Sequence, residues 1–247
     1  KYLGAGMDKL EVNTARVQLE RLLDTLRDAK EYGSILKVEN YNWELLRRFV
    51  SAADVREQIT MDSAGLEVTA EQILIHIAET MERKYDVVVT NPPYMAVSNG
   101  GARLNDYVKK NYPDSKADLF AVFMERCGMM TCQNHYQAMI TQHSWMFLSS
   151  FENLREKLLQ KDTVNMAHLG ARAFEEIGGE VVQTTTFVMR KSHIAEYQGT
   201  YCRLIKPTTQ KGKEDLFLTG SNRYFSVQDE FDKIPGKPIA YWFSKEA

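Results

Sequence analysis

Cysteine is scarce in this chain, with three among 247 residues, and Cys127, Cys132 and Cys202 are too scattered to suggest a disulfide framework. That favours a reducing cytoplasm over a secreted setting. No excess of one charge exists either: 31 Lys and Arg stand against 33 Asp and Glu. A global basic field for nucleic acid is thereby excluded, though a local basic groove is not. No apolar run is long enough to span a membrane. The opening Lys1-Tyr2-Leu3-Gly4 lacks both a signal-peptide core and an initiating Met, so a fragment of a longer protein is expected. What remains is ordinary for a globular protein, 44% apolar and 26% charged, enough for a substantial core in one or two domains.

Proline is also rare, at six residues, yet two are adjacent in Asn91-Pro92-Pro93-Tyr94. This tetrad follows Tyr85-Asp86-Val87-Val88-Val89-Thr90, a β-branched run that reads as a buried parallel strand. Open α/β sheets bind ligands outside the carboxyl ends of their strands. The residue types suit methylation of a planar amino nitrogen, whose lone pair is delocalised and must become more tetrahedral to attack. The Asn91 side-chain oxygen and the Pro92 carbonyl are two acceptors for the two amine hydrogens. Both prolines fix φ and stiffen the loop. Tyr94 offers a flat face to a base turned out of a duplex. Catalysis of this kind is positioning plus preorganised dipoles, without a strong general base. The plainer alternative is a strand followed by a proline-rich turn.

Asp8 with Glu11 forms a capping box for a first helix whose apolar positions run from Val12 to Ala29, with Gly33 ending the segment. Trp43–Val50 reads as a second helix and Asp62–Gly65 as a turn. Thr69 with Gln72 caps a helix to about Arg83. After the tetrad, Ser98-Asn99-Gly100-Gly101 reads as a loop, either a lid or plain solvent loop. An apolar helix spans 117–130 and a strand 136–141. Ser149 with Glu152 caps another helix, and strands follow at 163–169 and 181–190, the latter pair antiparallel. Alternation of helix and strand over 69–169 argues α/β with parallel pairing. From about residue 195 the alternation stops. The expected organisation is a helical segment over 1–68, a catalytic half-domain over 69–194 and a different region over 195–247.

Other constellations carry less. Cys127, Cys132, His135 and His143 match no zinc spacing, so no metal is expected. No nucleophile elbow supports a Ser-His-Asp triad. His143 stands at a strand end with Gln142 and Ser144 and could face the cleft, without a catalytic role. Asp118 is read as a helix cap or a substrate contact. Lys109, Lys110, Lys206, Lys211 and Lys213 read as solvated surface, with phosphate contact the alternative. Trp145 and Phe147 read as core.

Beyond the tetrad, the chain resembles the large adenine-specific DNA methyltransferases of the PglX type, from phage-exclusion systems, and their Eco57I-like relatives. The stretches that carry the resemblance are Asp28–Lys37, Lys116–Phe120, Ala138–Phe147, His168–Phe174, Gly178–Thr184 and Ile234–Trp242, spread from near one end of the chain to the other. The resemblance implies a partial Rossmann-like methyltransferase sheet with flanking helices, Asn91–Tyr94 as catalytic loop, and Asp118 and Phe120 beside the cofactor. It implies S-adenosylmethionine as methyl donor and double-stranded DNA as partner, with other defence-system subunits as further partners. It places the start of a target-recognition region after residue 195. The glycine-rich cofactor loop expected upstream of the tetrad is absent, since Gly4-Ala5-Gly6 has only three residues before it. The chain is therefore expected to carry the acceptor side of the reaction and an incomplete donor side. Competing readings are a protein-glutamine N5-methyltransferase, whose amide nitrogen is equally planar, and an inactive DNA-contacting fragment.

Overall fold

The computed structural model describes residues 6–51, 58–60, 67–174 and 182–243. The chain divides into two compact units, Lys1–Arg83 and Lys84–Ala247. In the first, α1 (Lys9–Leu26) opens on the Asp8–Glu11 capping box, with both reciprocal hydrogen bonds formed. The helix expected to run on to Ala29 stops earlier; α2 (Ala29–Tyr32) is a separate turn that ends at Gly33. Gly33 has a φ of 53°, which glycine adopts without a Cβ penalty. The helix α3 (Trp43–Ser51) buries Leu45, Leu46, Phe49 and Val50 and packs against α1. Two short strands, β1 (Gln58–Thr60) and β2 (Glu67–Thr69), pair antiparallel. The helix α4 (Ala70–Glu82) then starts at Thr69, whose side chain completes the box with Gln72. The turn expected at Asp62–Gly65 lies outside the described residues.

The second unit holds one six-stranded sheet. Its elements are β3 (Tyr85–Thr90), α5 (Ala102–Asn111), α6 (Leu119–Met130), β4 (Thr131–Gln142), α7 (Glu152–Leu159) and β5 (Asp162–Gly170), then β6 (Thr184–Arg190), β7 (Gln198–Arg203), α8 (Gln210–Thr219) and β8 (Arg223–Val227). The strand order is β3-β4-β6-β5-β7-β8. The β3–β4 and β5–β7 pairs are parallel; the others are antiparallel. Thus β4 and β5, successive in sequence, are not neighbours, because β6 returns between them. The antiparallel β5–β6 pair agrees with the short connection between them. The Gly178-Gly179 turn expected there lies outside the described residues.

Three expectations are corrected. The run at 85–90 is an edge strand of this sheet, half-covered rather than buried: Val88 packs on the core while Val87 and Val89 are 56% and 68% exposed. A β-branched run such as Val87-Val88-Val89 matches a strand buried on both faces, but burial depends on neighbours that the run does not encode. Ser149 does not cap α7. It opens a 3-10 turn at Ser149–Phe151, and Phe151 takes the cap position without a side-chain bond. Finally, the chain after residue 195 does not leave the sheet: β7 and β8 extend it.

The tail is also tied down by Arg155, which is 1% exposed. Its guanidinium donates to the carbonyls of Gly236 and Lys237 at 3.1 Å and to that of Trp145 at 2.9 Å. A buried guanidinium needs such acceptors for its donors, so this side chain joins α7, the strand-end turn and the tail. Phe120, Met124, Met139, Trp145, Phe187 and Tyr241 are among the side chains of the core between sheet, helices and tail.

Candidate functional site

The tetrad leaves β3 at its carboxyl end, beside the carboxyl end of β4, since Thr90 is in parallel register with Met139. Asn91 and Pro93 are exposed, Pro92 is buried and Tyr94 is half-buried. The following residues are bound to the start of α6. Leu119 N–H donates to the Met95 carbonyl at 2.9 Å and Val97 N–H to that of Ala117 at 3.2 Å. Ala96 and Asp118 form an antiparallel bridge. Asp118 Oδ1 accepts from Met95 N–H at 3.1 Å and, as the α6 cap, from Phe120 N–H at 3.2 Å. The loop is therefore anchored at both ends, by sheet on one side and by a helix terminus on the other. The glycine-rich stretch after it is partly ordered: a 3-10 turn covers Val97–Asn99, and the Asn105 amide donates to the Gly100 carbonyl at 3.2 Å.

Tyr94 stands edge-on to Phe120, ring centroids 6.3 Å apart. Its hydroxyl is buried, with no hydrogen-bond partner among the described residues. Burial pushes its pKa up to about 12, so the proton stays on. An orphaned buried donor in a candidate substrate loop is a polar atom that a ligand can satisfy. Burial also raises the Asp118 pKa, against the pull of the three backbone N–H groups around it.

The two residues expected at the cofactor are engaged internally. Asp118 caps α6 and clamps Met95 through Oδ1, and Phe120 is 0% exposed in the core. Of Gly4-Ala5-Gly6 only Gly6 is described. Both bonds fall on Asp118 Oδ1 of a half-buried carboxylate, whereas Phe120 offers a site only its buried ring.

The remaining candidates separate. Trp145 is fully buried, its Nε1 donating to Thr141 Oγ1 at 3.0 Å, whereas Phe147 is half-buried against Trp242. Cys127 is buried in α6, and no cluster of metal-ligating side chains exists among the described residues. Lys213 is not a surface cation: its Nζ donates to the carbonyls of Leu169 and Leu204 at 2.6 and 2.8 Å. Lys211 pairs with Glu214 and Asp215, while Lys109, Lys110 and Lys206 are exposed. His143 does more than expected. Its Nδ1 lies 2.7 Å from Nε2 of His168, whose Nδ1 lies 3.0 Å from the Tyr241 hydroxyl. Neither His168 nor Tyr241 stood out in the sequence as a functional group; only their place in the quoted family stretches marked them.

The model of the Eco57I restriction-modification methylase family matches residues 4–173. The matched span contains β3, β4, β5 and the tetrad, and the chain belongs to this family. Two curated proteins are similar over most of it. The adenine-specific methyltransferase PglX of Lacticaseibacillus casei (strain Zhang) is 44% identical over 238 residues, 92% of this chain and 20% of that protein. The adenine-specific methyltransferase BrxX of Escherichia coli O9:H4 (strain HS) is 39% identical over 235 residues, 93% of this chain and 19% of that protein. The chain thus spans about a fifth of the length of the curated relatives it matches. Among solved structures, a cryoEM DrdV–DNA complex matches with a TM-score of 0.52 at 16% identity, covering 72% of this chain and 20% of that one. That likeness is one of fold. No helix among the described residues is long and apolar enough to cross a membrane.

Proposed function

We propose that this chain is the acceptor-holding part of a site-specific DNA N6-adenine methyltransferase of restriction-modification or phage-defence type, working in the cytoplasm on double-stranded DNA. The observation that carries this reading is Asn91-Pro92-Pro93-Tyr94 at the carboxyl end of β3, clamped to the start of α6 through Asp118 and Met95. The names of the two similar curated proteins support the same activity. In this reading the Asn91 oxygen and the Pro92 carbonyl accept from the two hydrogens of the extruded adenine's amine. That favours the tetrahedral geometry its lone pair needs. The Tyr94 face holds the base, a stack available to any planar ring. The preorganised loop spares the cost of ordering these groups during the reaction. The methyl donor is S-adenosylmethionine, with Asp118 and Phe120 beside it and the rest of its site outside the described residues, and the chain that follows β8 leads toward target recognition. Other defence-system subunits are partners of the whole protein.

The test uses the full-length protein that carries this chain, labelled methyl donor and duplex DNA. Label in adenine that falls at least about a hundredfold with Asn91→Ala supports the reading. Label found in a protein glutamine with none in DNA replaces it with the amide-methyltransferase alternative.

A further inference from the structure

Four strands present a registered row of side chains on the core face: Thr141 opposite Thr185, Thr185 opposite His168, and His168 beside Arg203. One step earlier the same face carries Met139, Phe187, Met166 and Tyr201, all buried. The face therefore changes from apolar to polar just below the carboxyl edge, the edge from which the tetrad also departs. His143 lies past the end of β4 on that edge and joins the row through its 2.7 Å contact with His168. Phe147 stands edge-on to the His143 ring at 5.7 Å, and Trp242 lies 5.7 Å from Phe147.

The direction of the protons in this chain of contacts follows from satisfying each buried group. The Tyr241 hydroxyl keeps its proton, since burial raises its pKa, and His168 Nδ1 is the acceptor within reach. With Nδ1 accepting, neutral His168 carries its proton on Nε2 and donates to His143 Nδ1. The opposite order would leave the buried Tyr241 O–H without an acceptor, a loss comparable to a missing hydrogen bond. His143 is then fixed as the tautomer with its proton on Nε2. That atom is turned away from the network on a half-buried ring.

We propose that His143 donates its Nε2–H to an acceptor atom of the extruded nucleotide, a ring nitrogen or a phosphate oxygen, and that His168 and Tyr241 are positioning residues that set its tautomer. The inference rests on the methyltransferase reading above. It adds a polar contact on the β4 side of the cleft to the acceptors on the β3 side. A single oriented donor distinguishes a base that offers an acceptor there from one that does not.

The experiment measures methyl transfer by the full-length protein on duplexes whose target adenine is natural, has one ring nitrogen replaced by carbon, or carries a neutral methylphosphonate. His143→Ala is expected to lower kcat/KM on the natural duplex about tenfold, mainly through KM. On the one substituted duplex that lacks the acceptor, wild type and variant should be equal. Which substitution abolishes the difference tells ring nitrogen from phosphate. His143→Gln, which retains an N–H donor, should recover most of the loss. Tyr241→Phe, which removes one oxygen, should shift KM in the same direction by a few-fold. The proposal is overturned if His143→Ala stays within twofold of wild type, or if its loss is the same on every duplex. An Asn91→Ala variant run in parallel separates the two ideas. If that variant is dead and His143→Ala is silent, only the present inference fails; if wild type itself puts no label into DNA, the methyltransferase reading fails.

Discussion

The Asp118 carboxylate accepts the backbone N–H of Met95 at 3.1 Å while the same oxygen caps α6 through Phe120. One side chain thus links the residue after the tetrad to a helix whose body lies in the core. Asp118→Ala removes both bonds and is expected to destabilise the protein by about 1–2 kcal/mol. Methyl transfer should fall more than stability alone explains, because the loop loses its anchor. Asp118→Asn keeps an accepting oxygen and should retain most of both, as read by thermal melting and a labelled-methyl assay.

Tyr94 carries a buried hydroxyl with no partner among the described residues. Removing it should therefore relieve a desolvation penalty. Tyr94→Phe is expected to be as stable as wild type or up to about 1 kcal/mol more so. The ring and its stacking survive in that variant, so activity should stay within a few-fold. Tyr94→Ala, which deletes the ring, should lose activity by about a hundredfold. Chemical denaturation and initial rates check the two variants together.

His168 is buried, and desolvation, reinforced by His143, Arg203 and Lys213, pushes its pKa down to about 3. The folded protein keeps it neutral while the unfolded chain takes up a proton below about pH 6.5. Its contribution to stability is therefore complete above pH 6.5 and is lost as pH falls toward 3. The slope is up to about 1.4 kcal/mol per pH unit for this group. His143, also lowered by burial, acts in the same direction. Melting temperatures between pH 7 and pH 5 should fall, and His168→Gln should flatten that dependence.

Arg155 donates to carbonyls at the β4 end and in the tail. Arg155→Lys retains the charge but not the planar fork, and should cost about 3 kcal/mol or more, by leaving buried carbonyls unpaired. Hydrogen exchange should then rise first in residues 236–241.

Local chemistry was readable directly. The capping boxes at Asp8 and Thr69 each involve residues three apart, so they form wherever the helix forms. The strand at 85–90 and the tetrad after it are equally local. The Asp118 clamp spans 23 residues, and the His168–Tyr241 contact spans 73. Neither has a spacing signal, because what brings such residues together is the strand order. The same holds for Lys213, whose two carbonyl partners lie in β5 and after β7.

The sequence by itself determined the class of fold, the catalytic-loop candidate and the family, since each rests on short runs whose residue types restrict their own backbone. Only the tertiary structure decided that β6 enters between β4 and β5 and that the tail adds two strands to the same sheet. It also decided that His143 is one end of a buried hydrogen-bonded chain. Those outcomes depend on which surfaces bury one another, and buried polar groups take whatever partner the packing brings within 3 Å or so.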